Sequence, residues 1–352
     1  MDIARFGFTL INVFVTLPSL RGNTMMNDFL DALPKEALEN SKIMDLQIRS
    51  VKAHEAIDAI LSQTVLKGGK RLRPLLTFLM AHLFRVDFQT VVPYARASEL
   101  VHASSLSHDD VIDNATMRRG APSINILSSN KRAVLAGDYL LSSVIVDLTN
   151  AGNLELVREM SLVIKDLTEG EWLQLDLIGD RNYTRELIRE VAEKKTSSVM
   201  CYCSVAPAIL SGADKATVDL CREFGRRLGL AFQLIDDTLD YSGDSQKDQE
   251  LDLKNGIVNA VVYEMLEANP AHFERFKKGE DLIDVVKGIP FHSYVEKIST
   301  EAHAHLEAAK NILDELSSIL SVIPEYKSNP EELQARINGL ELIISYMALR
   351  SH

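Results

Sequence analysis

The sequence predicts an all-α fold, a single large helical bundle around a central cavity. Three observations predict it. Almost every segment after residue 26 carries apolar side chains at helical spacing, and no alternating strand pattern occurs. No stretch rich in Pro, Gly or Ser divides the chain. The only internal repetition is a pair of acidic motifs at 109–113 and 236–240, each closing an apolar-periodic segment, so two helices present the same charges to one cavity.

Taken in order, residues 6–20 are apolar but interrupted by Thr, Asn and Pro, too short and broken for a spanning helix. They make a poor signal peptide, with Asp2 beside a single Arg5 and no small-x-small site following. Residues 1–25 are therefore expected to be an N-terminal extension arising from a mis-called start, with Met25 or Met26 the true beginning; an interfacial anchor is the alternative. From residue 26 to 352 the expectation is one domain whose part from about 265 is divergent. Residues 41–66 read as one helix, with Ile43, Leu46, Ile57, Ile60 and Leu61 on one face. Gly68-Gly69 breaks it and Pro74 opens the next. Helices follow at 75–85, 94–113, 131–149, 153–178, 185–211 and 217–241, with Pro122 in a loop and breaks at Gly152, Gly179 and Gly212. Beyond 265 the pattern weakens; Pro290 and a break at 328–330 precede a last helix over 331–350, and this tail reads as a cover for the core.

The 352 residues carry a formal charge of −12, and no basic stripe offsets it, which excludes nucleic acid as a main partner. The cysteines are Cys201, Cys203 and Cys221, an odd number without a C-x-x-C pair. They read as free thiols in a reducing compartment. With no other segment able to span a membrane, the expected location is cytoplasmic.

The chemistry concentrates at 106–120, LSHDDVIDNATMRRG. Asp109 and Asp113 are four apart and share a helical face, with Asp110 beside them. Acids this close repel unless a cation lies among them. Hard divalent ions such as Mg2+ bind through one or two carboxylates plus substrate phosphates. Arg118 and Arg119 suit phosphate oxygens. Asp236, Asp237 and Asp240 repeat the D-D-x-x-D spacing. A third signal is KGGKRLRP at 67–74, where paired glycines allow a sharp turn and Lys70 and Arg73, three apart, can converge on one anion.

In sequence, GGKRLRP, HxxSLxHDDVxD with RRG, GExxQ, KT and FQLxDDxLDY cover roughly residues 60–256 and resemble the trans-polyprenyl diphosphate synthases, long-chain type. The resemblance implies the isoprenoid synthase fold, commonly a homodimer, and head-to-tail elongation: an allylic diphosphate ionises with help from about three Mg2+ ions, the double bond of isopentenyl diphosphate attacks, and a proton leaves. It also implies roles. Asp109, Asp113 and Asp236 would be the principal metal ligands, with Asp110, Asp237 and Asp240 supporting. Arg118, Lys195, Thr196 and Gln233 would face the allylic diphosphate. Lys70, Arg73, His102 and Arg119 would hold isopentenyl diphosphate. Glu171 and Gln174 are read as lining the cavity, and His303 and His305 as a polar helix face. Transient membrane contact for product release is a further expectation.

The apolar tail must run between helices from the first motif. Ser105 and Ser104 lie about one to one-and-a-half turns before Asp109, where a Phe or Tyr would floor the tunnel, so the expected product is longer than C20, on the order of C30–C50. The chain departs from the family after Tyr241: a Gly-Lys-Pro is missing, and Ile257, Asn259 and Val261 replace the Lys, Thr and Pro of a Gly-Lys-x-Thr-x-Pro helix start. Lys247 or Lys254 is then the expected substitute cation for the allylic diphosphate. Alternatives are a C15–C20 synthase, a class I terpene cyclase, and a regulatory subunit of a heteromeric synthase; the intact aspartates disfavour the last, and the glycine turn disfavours the cyclase.

Overall fold

The computed structural model describes residues 33–44, 46, 55–68, 71–118, 121–241 and 253–350. The expected boundary at 25–26 and the N-terminal extension lie outside the described residues. In chain order the helices are α1 (Lys35–Ile43), α2 (Glu55–Gln63), α3 (Leu72–Leu83), α4 (Phe88–Ile112), α5 (Ile124–Leu127), α6 (Asn130–Ala151), α7 (Leu154–Asp180), α8 (Arg185–Ala192), a π-helical turn (Glu193–Ser197), α9 (Ser198–Leu210), α10 (Lys215–Leu239), α11 (Ala260–Ala268), α12 (Pro270–Lys277), α13 (Leu282–Val285), α14 (His292–Leu320), α15 (Pro324–Ser328) and α16 (Pro330–Arg350). The strands β1 (Met117–Arg118) and β2 (Ala121–Pro122) form an antiparallel pair.

Two helices are apolar nearly all round and take the centre. On α3, Leu75 through Ala81 and Leu83 are buried; on α9, Val199, Tyr202, Cys203, Val205 and Ala206 are. The outer helices bury one stripe each. α4 lies along α6, α9 packs between α3 and α10, and α10 runs along α14. A second cluster around Leu177, Tyr183, Val262, Leu266, Phe276 and Leu282 joins the end of α7 to α11–α13. No helix of the described residues is long and apolar enough to cross a membrane.

The structure corrects the predicted elements at four places. Residues 41–66 are not one helix. α1 ends at Ile43, Met44 is extended at φ −54° and ψ 117°, and the Arg71 guanidinium donates to the carbonyls of Ser41, Lys42 and Met44 at 3.4, 3.1 and 3.1 Å. A cation on the carbonyl end of a helix is favourable, so Arg71 terminates α1. α4 begins at Phe88, ahead of Pro93: Asp87 caps it by accepting from the Thr90 amide at 3.1 Å, and Phe88 and Val91 bury the first turn. The 185–211 helix contains a five-residue π turn at Glu193–Ser197, which sequence periodicity does not reveal. A short hairpin, not a plain loop, follows the first acidic motif, and Pro122 sits at its edge.

Candidate active site

A cavity of about 1250 Å3 opens between the ends of α4 and α10. Each motif-bearing helix is set by a close seam. On α4, Ser104 and Ser107 donate to the α6 carbonyls of Gly137 and Ala133 at 2.9 and 2.8 Å, and a His108 ring nitrogen lies 3.2 Å from that of Val134. A Cβ on Gly137 would fall 2.2 Å from His108 Nε2, so any larger residue there would push the His108 ring aside. On α10, a Cβ on Gly229 would lie 2.4 Å from Ser197 Cα. That approach brings Gln233 against the π turn. The extra residue in that turn separates two adjacent lysines: Lys194 pairs with Glu169 at 2.7 Å, while Lys195 turns into the cavity.

At the first motif Asp109 and Asp113 line the cavity. Burial is the main force raising both carboxyls. Lys195 and Arg118 oppose it, and Glu171 adds repulsion; Asp109 reaches about 7. Lys195 Nζ donates to Glu171 Oε2 at 2.5 Å and to Gln174 Oε1 at 3.1 Å, so the lining role read for that pair holds, with the added task of aiming Lys195. Asp110 is placed differently. It is fully buried, away from the cavity wall, and accepts from Arg118 Nε and Nη2 at 2.9 and 2.6 Å. It orients the arginine, which does line the cavity.

At the second motif Asp236, Asp237 and Asp240 all reach the cavity. Thr196 Oγ1 donates to Gln233 Oε1 at 2.7 Å, and Gln233 Nε2 donates to Asp237 Oδ1 at 2.9 Å. The Ala260 amide donates to Asp237 Oδ2 at 3.0 Å. Both oxygens of Asp237 are thus committed to holding α10, the π turn and α11 together. Asp236 Oδ1 accepts from Arg350 Nη2 at 2.7 Å.

Arg73, His102 and Ser105 line the same cavity. Ser104 does not: its hydroxyl faces α6, which leaves Ser105 as the one of the two serines on the cavity wall. Lys70, Arg119 and Lys247 lie outside the described residues. Lys254 is exposed and not part of the wall, whereas Ile257 is. Asn259 caps α11 by accepting from the Val262 amide at 3.0 Å. His303 bonds back to the Ser299 carbonyl at 2.7 Å and His305 lies 3.3 Å from Arg227, so the two diverge as residues two apart on a helix must. All three cysteines are free.

Sequence reasoning missed several wall residues: Glu99, buried with one oxygen unpartnered, Arg350, and the group Arg185, Glu264 and Glu301. Arg185 pairs with Glu301 at 3.0 Å and with the buried Glu264, which also pairs with Lys297. Glu99, three before His102, carried a helical signal; Arg350 and Glu301 sit in helices whose patterns give no hint of the cavity.

The donor set is all hard oxygen, and the raised Asp109 marks a carboxylate in want of a cation; such residues fit a divalent ion. Among the described residues no three acidic, His or Cys side chains close around one point. Residues 54–284 match the polyprenyl synthetase family. The chain belongs to that family. A decaprenyl-diphosphate synthase of Dictyostelium discoideum is 37% identical over 217 residues, 60% of this chain and 47% of that protein. A geranylgeranyl diphosphate synthase of Methanosarcina mazei is 30% identical over 296 residues, 77% of this chain and 91% of that protein. The polyprenyl synthase of Caulobacter crescentus, solved with calcium and isoprenyl diphosphate, superposes with a TM-score of 0.70 at 25% identity, covering 91% of this chain and 97% of that one. The chain spans about half the length of several long-chain relatives it matches. The all-α isoprenoid synthase fold expected for this polyprenyl synthetase is the fold observed.

Proposed function

We propose that the chain is a trans-prenyltransferase that condenses isopentenyl diphosphate with farnesyl or geranylgeranyl diphosphate to make a long-chain trans-polyprenyl diphosphate. The single observation that carries this reading is the convergence of both acidic motifs, Arg118, Lys195, Arg73 and His102 on one cavity. Its volume, about 1250 Å3, exceeds the roughly 300–1,000 Å3 usual for a small-molecule pocket.

Asp109, Asp113, Asp236 and Asp240 would hold Mg2+, about three ions by family likeness. Bound Mg2+ supplies electrophilic stabilisation of the departing diphosphate. The protein's own groups do the rest. Asp110 fixes Arg118, and Glu171 with Gln174 fixes Lys195, so two cations are preset toward the allylic diphosphate without reorganisation during reaction. Thr196 and Gln233 are locked to each other beside them. Arg73 and His102, with Lys70 and Arg119, would seat isopentenyl diphosphate. Apolar wall residues, including Leu106, Leu167 and Leu230, exclude water from the allylic cation.

Incubation of the full chain with Mg2+, labelled isopentenyl diphosphate and farnesyl diphosphate is expected to give products longer than C20 on chromatography of the dephosphorylated lipids. Ser105→Phe is expected to shorten them, while Ser104→Ala, facing α6, leaves their length unchanged. Products stopping at C20 from farnesyl diphosphate, or at C15 when a geranyl primer is used instead, would favour the short-chain reading, which the Methanosarcina relative keeps in view. No incorporation with any primer would favour the regulatory subunit.

A homodimer is proposed from the surface. Exposed large apolar side chains of the described residues concentrate on α5–α7, among them Ile126, Leu127, Leu135, Val146, Leu154 and Trp172. Leu135→Glu is expected to halve the mass seen by sedimentation; a wild-type monomer would refute the dimer. Transient membrane contact is proposed from the apolar product. A cytoplasmic location is proposed from the sequence reading; relatives described as mitochondrial supply the alternative, separable by fractionation.

A further inference from the structure

One residue joins two helices to the cavity wall. Arg71 stands at φ +48° and ψ 39°, in the left-handed region that side chains other than glycine, asparagine and aspartate seldom adopt. Its backbone opens α3, where its carbonyl accepts from the Leu75 amide at 3.0 Å. Its side chain closes α1, where Nη1 donates to the carbonyls of Ser41, Lys42 and Met44 at 3.4, 3.1 and 3.1 Å. Arg71 also lines the cavity, as do Thr64 and Arg73. α1 is itself wedged in place. Ala37 is fully buried, the helix packs on α3, and a Cβ on Gly339 of α16 would lie 3.3 Å from the Pro34 ring just before it. This helix lies outside residues 54–284, the part that matches the family.

We infer that Arg71 is a positioning residue that uses α1 to fix the start of α3, and with it Arg73, for isopentenyl diphosphate. So uncommon a backbone conformation persists only where its surroundings hold it. Here the holder is the carbonyl end of α1, three acceptors around one guanidinium whose charge suits the negative end of a helix. Freed from α1, Arg71 relaxes to negative φ and re-aims the chain two residues before Arg73. The role rests on the proposed reading in which Arg73 seats isopentenyl diphosphate. That diphosphate is not the one expelled, so contacts to it are alike in ground and transition states. Their loss raises KM and spares kcat.

Steady-state assays of the full chain with Mg2+, isopentenyl diphosphate and farnesyl diphosphate test this. Arg71→Asn tolerates the left-handed backbone but lacks the guanidinium. Its KM for isopentenyl diphosphate is expected to rise about tenfold, with kcat and the KM for farnesyl diphosphate within about twofold of wild type. Ala37→Gln overfills the seam between α1 and α3 away from the cavity wall, and is expected to raise the same KM about fivefold. The double variant is expected to stay within about twofold of Arg71→Asn, because both changes break one tie. Effects that multiply, a wild-type KM in folded Ala37→Gln, or a fall in kcat as large as the rise in KM would overturn the role while leaving the proposed function standing. Should circular dichroism show Ala37→Gln unfolded, Arg71→Asn decides: a wild-type KM there overturns the role. A wild-type protein that incorporates no isopentenyl diphosphate with any primer would overturn the proposed function and this role with it.

Discussion

Asp109→Asn is expected to remove turnover by roughly 10^3-fold or more while making the metal-free protein more stable. Burial lifts the Asp109 carboxyl from 3.8 to about 7, and the nearby Glu171 and Asp113 add to the lift. Between about pH 4 and 7 the folded protein therefore holds a proton that the unfolded chain has lost, so this group's stabilising contribution declines as pH rises through that window. Above it the carboxylate is charged in both states, and the fold bears the desolvation and repulsion alone. The neutral amide avoids both, so the thermal midpoint of the metal-free variant at pH 8 should rise by a few degrees over wild type, and the difference should shrink at pH 5. Added Mg2+ should raise the wild-type midpoint and leave the variant's almost unmoved. Asp236→Ala is likewise expected to lose elongation with the fold intact. Turnover surviving in either variant would overturn the metal assignment.

The second large effect is structural. Gly229→Ala places a methyl 2.4 Å from Ser197 Cα and 2.8 Å from Ser197 Cβ. Backbone on both sides cannot yield as a flexible side chain would, so α10 must move off the π turn. The expected cost is about 1–3 kcal/mol or more. The same shift parts Thr196 from Gln233, now 2.7 Å apart, and loosens the hold of Gln233 on Asp237. Calorimetry should show a lower midpoint, and kcat/KM should fall further than stability alone explains at temperatures where the variant is fully folded. Gly225→Ala, one turn earlier and 2.5 Å from the Met200 carbonyl, should lower the midpoint too but spare more of the activity, since it lies farther from Gln233. Wild-type values for Gly229→Ala would mean that the two helices do not meet as described.

Much of the site is legible in the amino-acid sequence. Charge spacing is a local property: D-D-x-x-D at the end of an apolar helix places two carboxylates on one face wherever the helix goes. The two motifs and Arg73 are therefore recoverable as candidates, and so is the all-helical class, since periodicity reports which face is buried; the Lys-Thr pair and His102 stand out only through the family resemblance. Residues 93–94 show the limit of local rules: Pro93 suggests a boundary, yet buried Phe88 and Val91 carry the helix past it.

What the sequence by itself determined is the all-helical class, the two helices that carry the acidic motifs, and the chemistry their ends can carry. Tertiary packing alone decided how each group is used. Asp109 and Asp110 are adjacent and chemically identical, but a helix turns about 100° between them, so one faces the cavity and the other is buried under Arg118. Ser104 and Ser105 divide in the same way, one bonded to α6 and one on the cavity wall. Arg350 lies 114 residues from Asp236 in the chain, and no periodicity links them. Only the docking of the last helix on α3 and α14 brings them within 2.7 Å, because long-range contacts follow from how buried faces fit, which no local pattern encodes.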